Sequence, residues 1–425
     1  MWAVADTVFP GNKSFDGDLS LTDESYIFQE GSGISIGGTL STAAGVHIGY
    51  DAIMPYDVGS LFAESGINQN YSILTGGNIS ITKVLEIAAA NSLTIGGMGG
   101  ARYNFNAAAI EAYGGLNLYG ATLTIGQIVA SGTGSAGNVT IQGNSLSVTS
   151  GVFQSLDARN VTVNLGGGTF NIASGSIENK SSGTMSITAG AINAQTITND
   201  SNSGTLNINA SSLNLTGGDA SDVASFINKG NFVGNISGAT TLAHGFDLSS
   251  MGATNSFSLT TGTLSLGDRI DAFFDNNLTS FTVNVTNGAI NANTIRNGYS
   301  DSAAVMSLSA STFINADGVY AYGGTMNLSA PIISIGTGGL SVAEGGALNV
   351  SNAEAVVSDA AVAIYGNLSA GLTSAASGGM NITSGWTDID AEDYTITVGG
   401  GISANGSGNG LGIFAQTVNV TNDVI

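Results

Sequence analysis

A four-residue pattern of polar and apolar positions recurs along most of this chain. Each copy, here called a tetrad, consists of a small or polar residue, an apolar residue, a polar residue and a second apolar residue, as in 138–141, 160–163 and 184–187. Apolar and polar residues alternate with a period of two, which is typical of a strand with one buried face. The tetrads recur about every 22 residues, and a fixed period of this size indicates a solenoid.

The first apolar residue of each tetrad is expected to form a column in the protein core. From Leu93 to Leu206 these residues follow one another at steps of 23, 23, 22, 24 and 21 residues. If successive coils stack, equivalent side chains lie over one another and are buried together. The predicted core ladder consists of Val139, Val161, Met185, Leu206, Phe257, Phe281, Met306, Met326, Leu348, Met380 and Val418.

Many periods contain a second short strand. Leu146 follows Val139 by seven residues, and Leu264 follows Phe257 by the same interval. A β-hairpin is one explanation, but most of these links lack the favoured Asn-Gly or Asp-Gly turn. The alternative is a bend between two faces of one coil, with each strand paired in parallel to its copy one coil away. The sequence therefore predicts an all-β, single-stranded parallel β-helix with about 22 residues per coil.

Four asparagines each follow closely on an apolar residue and precede a new tetrad. Asparagine tolerates the left-handed backbone conformation and bonds its own backbone in turns. Stacked in register, such amides form ladders with their neighbours. The predicted turn asparagines are Asn179, Asn199, Asn228 and Asn297.

The rhythm of tetrads also predicts the domain organisation. Residues 1–75 repeat poorly, contain two of the three prolines and are expected to form an N-terminal cap with irregular first coils. Residues 76–425 are expected to form the β-helix. Within it, insertions near 104–114, 217–234 and 351–378 are predicted to be short helices or loops that leave the coil.

Composition excludes several classes of function. Hydrophobic residues make up 42% of the 425 residues and charged residues only 9%, so the chain is able to bury a core. The net charge is −22, and the eight basic residues do not cluster, which argues against binding to nucleic acids or anionic membranes. There is no cysteine and no apolar run of 18 residues, so we expect no cysteine chemistry and no helical membrane insertion.

The segments 197–208 and 226–236 resemble the repeats of filamentous-haemagglutinin-type and autotransporter-passenger adhesins. The resemblance covers residues 76–425 and is carried by the texture of the repeat. It implies a right-handed parallel β-helix that Gram-negative bacteria export to the cell surface.

One acidic cluster, 388–393, lies beside Trp386 and Tyr394 and is the best candidate for chemistry. In an extended strand Asp388, Asp390 and Glu392 fall on one side, where carboxylate oxygens suit Ca²⁺. Three interpretations stay open: a solvated loop, a calcium site, or the paired carboxylates of a glycoside hydrolase or lyase. No other cofactor is expected.

Two hypotheses about function follow from the sequence. In the first, the protein is a non-catalytic extracellular bacterial adhesin or fibre subunit. It acts as a rigid rod that self-associates end to end or laterally, or that binds a host or cell-surface glycan or protein. In the second, it is a polysaccharide-processing β-helix enzyme that uses the cluster at 388–393.

Overall fold

The computed structural model consists of short strands in two compact units, Met1–Ser211 and Ser212–Ile425. It describes residues 7–9, 12–21, 26–28, 33–42, 46–48, 61–63, 70–87, 92–131, 138–157, 159–172, 174–217, 224–248, 255–266, 270–272, 280–297, 305–342, 346–351, 354–357, 362–364, 367–370, 380–382, 387–398, 402–404 and 411–420.

The first unit contains strands β1 to β22 and a short 3-10 helix, Met98–Gly100. The strands are β1 Thr7–Phe9, β2 Lys13–Phe15, β3 Leu19–Leu21, β4 Tyr26–Phe28, β5 Gly33–Ile36, β6 Leu40–Thr42, β7 Val46–Ile48, β8 Leu61–Ala63, β9 Asn70–Thr75, β10 Ile79–Ile87, β11 Ser92–Gly97, β12 Phe105–Ala112, β13 Leu116–Tyr119, β14 Thr122–Ala130, β15 Val139–Gln142, β16 Ser145–Val148, β17 Phe153–Ser155, β18 Val161–Asn164, β19 Thr169–Asn171, β20 Ser176–Asn179, β21 Thr184–Ala194 and β22 Thr196–Asn199. Strand β23, Thr205–Leu215, contains the last residues of the first unit and the first of the second.

The second unit continues with strands β24 to β42. They are β24 Phe226–Asn228, β25 Asn231–Leu242, β26 Phe246–Asp247, β27 Ser256–Leu266, β28 Ile270–Ala272, β29 Ser280–Val285, β30 Ile290–Asn297, β31 Val305–Ala310, β32 Phe313–Ala321, β33 Gly324–Ser329, β34 Ile332–Val342, β35 Gly346–Ser351, β36 Glu354–Val357, β37 Val362–Ile364, β38 Asn367–Ala370, β39 Met380–Ile382, β40 Thr387–Val398, β41 Ile402–Ala404 and β42 Leu411–Val420.

Within each unit, strands pair in parallel with the equivalent strand one coil away. β13 pairs with β15 and β15 with β18 in the first unit, and β29 pairs with β31 and β31 with β33 in the second. One turn takes about 23 residues. The predicted fold class, an all-β parallel β-helix, is confirmed, and the hairpin alternative for the second strand of each period is wrong.

Each coil has three successive strand segments, which we name wall 1, wall 2 and wall 3. In the first unit wall 1 contains β11, β13, β15 and β18, wall 2 contains β16 and β19, and wall 3 contains β17, β20 and β22. In the second unit wall 1 contains β27, β29, β31, β33 and β35, and β30 and β32 each pass from wall 2 to wall 3. The tetrads that dominate the sequence pattern form wall 1.

The inward side chains of wall 1 form a column in each unit. In the first unit Leu116 lies beside Val139, Val139 beside Val161 and Val161 beside Met185. In the second unit the column contains Phe232, Phe257, Phe281, Met306, Met326 and Leu348. All of these side chains are at most 1% exposed, so alternation within a tetrad correctly separates buried from outward positions.

The predicted ladder contains one residue that lies on a different wall. Met380 is on β39, which pairs with β36 and β41, so Met380 aligns with Ala355 and Ile402 on wall 2. The position next to Leu348 on wall 1 belongs to Leu368. The sequence assignment of Met380 to the wall 1 column is therefore wrong, because polar–apolar alternation is the same on every wall. Val418 does align with the wall 1 series, through Ile396.

The segments expected to leave the coil contain strands of the coil wall. Residues 105–112 form β12, which pairs with β10 and β14, so the helix or loop predicted near 104–114 is wrong. Near 217–234, β24 and the start of β25 are wall strands, and 218–223 lie outside the described residues. Near 351–378, β36, β37 and β38 pair with β34 and β35.

The described strands of residues 1–75 also pair in parallel, but their coils are uneven. Gly33 aligns with Ser72, an interval of 39 residues, while Ser72 aligns with Thr94 one ordinary coil later. Gly37 and Gly76 occupy equivalent corners here. A Cβ on Gly76 would overlap the carbonyl oxygen of Gly37, so this corner stacks closely only with glycine. The boundary between the compact units falls after residue 211, whereas the sequence suggests one after residue 75.

Candidate functional site

The outward side of wall 1 carries a hydrogen-bonded ladder of uncharged polar side chains. In the second unit Asn349 donates its amide to Oδ1 of Asn327 at 2.9 Å, and Asn327 donates to the hydroxyl of Ser307 at 3.1 Å. Ser309 donates to Oδ1 of Asn284 at 2.7 Å. Because each partner is one coil away, amide and hydroxyl groups repeat at the strand spacing of about 4.8 Å. The wall thus offers a regular neutral surface of donors and acceptors.

A second recurring contact links the corners that precede wall strands. An Asp or Asn side chain accepts a hydrogen bond from a backbone N–H one coil further along the chain. This bond connects the start of a wall strand to the preceding coil. Examples among the described residues are Thr39 N–H to Asp18 Oδ1 at 2.8 Å, Asn104 N–H to Asn78 Oδ1 at 3.0 Å, Thr184 N–H to Asn160 Oδ1 at 2.9 Å and Ser256 N–H to Asn231 Oδ1 at 3.0 Å. Asn160 is the first, polar residue of a tetrad, and Asn231 directly precedes Phe232 of the wall 1 column, so this position supports the stacking of coils.

The four predicted turn asparagines lie inside the protein. Asn179, Asn199, Asn228 and Asn297 each end a wall 3 strand and are 0% exposed. Among the described non-glycine residues only Asp157 has a positive φ. These asparagines do not use the left-handed conformation that the residue tolerates, because each is the last residue of an extended strand and its side chain is buried.

The buried amides bond to groups at the corner between wall 3 and wall 1. Asn179 donates to Oδ1 of Asn199, its register partner, at 2.8 Å. Asn228 donates to the carbonyl of Gly230 at 2.7 Å, and Asn297 donates to the carbonyl of Gly323 at 3.1 Å. A buried amide that finds partners in this way holds the corner in one conformation.

Arg159 is the most deeply buried charged side chain described, with 2% exposure. Its guanidinium donates to the carbonyl of Gly114 at 2.6 Å and to that of Tyr113 at 3.3 Å, about two coils earlier in the chain. Ser181 donates back to the carbonyl of Arg159 at 2.9 Å. Burial lowers the pKa of Arg159, and the nearby charge of Asp157 opposes this shift. Arg159 thus connects corners that no strand pair joins directly.

On the outer side of wall 3 in the first unit, Glu178 is the centre of a polar group. Lys180 forms an ion pair with it at 2.7 Å, Ser176 donates to Oε1 at 2.7 Å, and Gln154 donates to Oε2. Partial burial alone would raise the pKa of Glu178. The hydrogen bonds from Lys180, Ser176 and Gln154, together with the charge of Lys180, outweigh burial and hold that pKa below its ordinary value.

A cluster of aromatic and charged side chains occupies wall 3 of the second unit. The rings of Tyr320 and Tyr322 are stacked, with centroids 5.7 Å apart and an interplanar angle of 22°. The guanidinium carbon of Arg296 lies 5.9 Å from the centroid of Tyr320. A Cβ on Gly318 would meet the Tyr320 ring at 2.7 Å, so that ring lies over the glycine backbone. We name Arg296, Tyr320 and Tyr322 the tyrosine platform.

The Tyr320 hydroxyl of the platform keeps its proton at neutral pH. Burial raises the pKa of Tyr320, the neighbouring Tyr322 and Asp317 act in the same direction, and Arg296 opposes them. A protonated phenol donates and accepts hydrogen bonds. The platform therefore combines flat apolar rings with polar edges.

The three acidic candidates from the sequence lie on a single strand. Asp388, Asp390 and Glu392 fall on β40, where Asp388 aligns with Ala363 of β37 and with Gly412 of β42. Asp388 and Asp390 are alternate residues of the strand and share a face, whereas Glu392 lies where the pairing of β40 with β42 shifts register, between Ala391 and Thr395. Their side chains lie outside the described part of the protein, so calcium binding stays a prediction. Where side chains are described, no group of three His, Cys, Asp or Glu is placed to hold a metal ion.

No family model, curated protein or solved structure matches this chain. The fold itself is compatible with β-helix surface proteins. No helix in the described ranges has the length and apolar character needed to cross a bilayer.

Sequence reasoning missed two of these features. Arg159 was one of eight scattered basic residues, and nothing local to it indicates contact with Tyr113. The platform residues Arg296 and Tyr320 are 24 apart and meet only because their strands are adjacent in register. Among the corner Asx residues Asn160 did leave a signal, since it is the first residue of a tetrad.

Proposed function

We propose that this chain is a non-catalytic extracellular protein of bacteria, of the filamentous-haemagglutinin or autotransporter-passenger type, that serves as an adhesin or a structural fibre subunit. The observation that carries the proposal is the neutral ladder on wall 1. Its amides and hydroxyls bond to one another along the stack, as Asn349, Asn327 and Ser307 do. Such a surface is suited to repeated, spread-out contacts with a large partner.

Charge and rigidity support the same proposal. A surface with few charges avoids the desolvation cost that charged groups impose on an interface. Side chains that are already held in place lose less entropy when a partner binds.

Cell binding and self-assembly test this proposal directly. Beads coated with the full chain are expected to adhere to bacterial or host cells, or the purified protein to form fibres visible by negative-stain electron microscopy. Beads coated with an unrelated acidic protein are the control. If the chain neither adheres nor assembles, the proposed function is wrong.

The catalytic alternative is tested by release of reducing sugar from a panel of polysaccharides. We expect no release by the full chain. Release that disappears in the Asp388→Ala, Asp390→Ala double variant would instead establish the polysaccharide-processing enzyme.

A further inference from the structure

Two polar atoms at the inner corner of wall 3 in the first unit are buried without a hydrogen-bond partner among the described residues. They are Oγ of Ser155 and Oδ1 of Asn179, and both residues are 0% exposed. Ser155 and Asn179 each end a wall 3 strand, and they are register partners on successive coils. Buried polar groups of folded proteins nearly always have a partner. Two such atoms side by side therefore point to a third polar group that bonds both.

The hydrogen bonds of Asn179 show on which side its oxygen lies. Its Nδ2 donates to Oδ1 of Asn199 on the next coil at 2.8 Å and to the carbonyl of Thr205 at 3.3 Å. Because nitrogen and oxygen leave the amide carbon in different directions, an amide that donates toward the next coil turns its oxygen toward the coil before it. Ser155 belongs to that preceding coil, so both unpartnered atoms lie between the same two coils.

Side-chain length explains why the oxygen of Asn179 has no direct partner. On the two coils before Ser155, the same inner position holds Ala130 and Ala112, both 1% exposed. The column thus narrows from asparagine through serine to alanine. A serine hydroxyl reaches less far than a second amide would, which leaves room beside it for a molecule about the size of one water.

The same relation recurs at Asn297 in the second unit. Its amide donates to the carbonyl of Gly323 on the next coil, and its Oδ1 has no partner among the described residues. The register partner of Asn297 on the preceding coil is Ala272, again a short residue. In both units, therefore, the unpartnered amide oxygen faces a coil with a short inner residue. Of these two sites, only that of Asn179 also has a serine hydroxyl, which provides a second polar partner.

The chemistry of the two atoms selects the ligand. An amide oxygen only accepts hydrogen bonds, whereas a serine hydroxyl both donates and accepts. A ligand that bonds both must donate to the amide, so an anion without a proton does not fit. A hard cation such as Ca²⁺ takes about six to eight oxygen ligands. Water donates and accepts, carries no charge and typically makes two to four hydrogen bonds at buried sites.

We propose that the corner between Ser155 and Asn179 binds one structural water molecule, independently of the proposed function. The water donates to Oδ1 of Asn179, and the Ser155 hydroxyl donates to the water. It continues the amide ladder of wall 3 by one coil, where the serine side chain is too short to bond the amide directly.

Removal of the Ser155 hydroxyl distinguishes the two possibilities by the sign of its effect. With the water bound, Ser155→Ala takes away one of its partners and is expected to lower the midpoint of urea unfolding by roughly 0.3 M. Without a water, the same variant removes an unpaired buried hydroxyl and would raise the midpoint. Ser147→Ala is the matched control, because Ser147 is a half-buried serine on β16 of the same unit. The control is expected to leave the midpoint unchanged.

A crystal structure of the full chain at a resolution that shows ordered water gives the direct answer. We expect one water within hydrogen-bond distance of both Ser155 Oγ and Asn179 Oδ1. In Ser155→Asn the longer amide is expected to displace the water and to bond Asn179 itself, with a urea midpoint that does not fall.

Three results would overturn the site. One is a Ser155 hydroxyl that bonds Asn179 directly in the crystal, and another is a crystal without water at this corner. The third is a midpoint that Ser155→Ala raises or leaves unchanged. If either variant does not fold, the crystal structure of the unaltered chain decides the matter.

Discussion

Single residues stabilise this protein in two ways, by hydrophobic packing and by buried hydrogen bonds. Most inward residues are hydrophobic side chains that pack in columns, but a few buried polar residues make specific hydrogen bonds. Arg159 bonds the carbonyls of Tyr113 and Gly114 from a buried position. Hydrogen bonds from a charged donor are costly to lose where the acceptor is buried, as it is in the bond to the Gly114 carbonyl.

Arg159→Ala is expected to lower the free energy of unfolding by about 2–3 kcal/mol. The measurement is urea denaturation followed by circular dichroism. Arg102→Ala is the control, since Arg102 is exposed in the same unit. An equal loss in both variants would contradict the role assigned to Arg159.

The lowered pKa of Glu178 predicts that the stability of the protein depends on pH. The pKa of Glu178 is lower in the folded protein than the ordinary value of 4.5. The ionised side chain therefore contributes fully to the free energy of unfolding above pH 4.5, and this contribution is lost as the pH falls through the lower folded pKa. Glu178→Gln is expected to flatten the acid side of the stability profile. Lys180→Gln removes the ion-pair partner and is expected to act in the same direction. Unchanged acid sensitivity in both variants would show that the group at Glu178 has no such effect.

At the scale of strands, stability depends on columns of like residues rather than on single pairs. In the second unit the column begins with aromatic rings, and Phe257 packs on Phe232 at 4.7 Å and on Phe281 at 5.0 Å between centroids. It also meets Phe246 and Phe226 edge to face, the favoured geometry of aromatic pairs. One ring thus contributes to the packing of several coils.

Removal of the Phe257 ring is expected to destabilise the protein strongly. Phe257→Ala should lower the free energy of unfolding by about 3–5 kcal/mol, because it leaves a cavity inside a continuous column of packed side chains. Phe313→Ala removes a ring that is 40% exposed and is expected to cost about 0.5 kcal/mol or less. Thermal and urea unfolding of the two variants make the comparison. Similar values would mean that the column is not the main support of this unit.

The asparagine pair on wall 3 gives a second prediction at this scale. Asn179→Asp replaces a buried donor with a carboxylate that faces Oδ1 of Asn199, so we expect a loss of about 3–5 kcal/mol at pH 7. Asn164→Asp is the matched control, because Asn164 is exposed and only accepts the N–H of Gly166, which aspartate also does. A stable Asn179→Asp protein would show that the buried amide is dispensable.

For the whole molecule, net charge sets the conditions under which copies meet. A charge of −22 on 425 residues favours separation of copies by mutual repulsion. Salt shortens the reach of that repulsion, from about 30 Å at 0.01 M to about 10 Å at 0.1 M.

Self-association is therefore expected to increase with ionic strength. Sedimentation velocity at low and at moderate sodium chloride makes the measurement, and lowering the pH toward 5 at low salt should act in the same direction by removing negative charge. Association that weakens as salt rises would show that attraction between charges, and not the neutral walls, joins the copies.

Much of the fold follows from sequence because alternation decides which side of a strand is buried. The tetrads around Val139, Val161 and Met185 lie in register as their spacing predicts. Alternation does not say which wall a strand joins, so Met380 was assigned to the wrong column and β12 was taken for an insertion. Corner lengths vary, and only the closed coil determines which strand lies next to which.

The candidate site shows the same division. The sequence alone predicts the stacked coils, the neutral outer surface and the scarcity of charge, because each of these depends on local pattern or composition. The meeting of Arg296 with Tyr320, the reach of Arg159 to Gly114 and the burial of Asn179 were decided by tertiary structure. Each joins residues at least one coil apart, and such contacts form only once the chain has closed its turns.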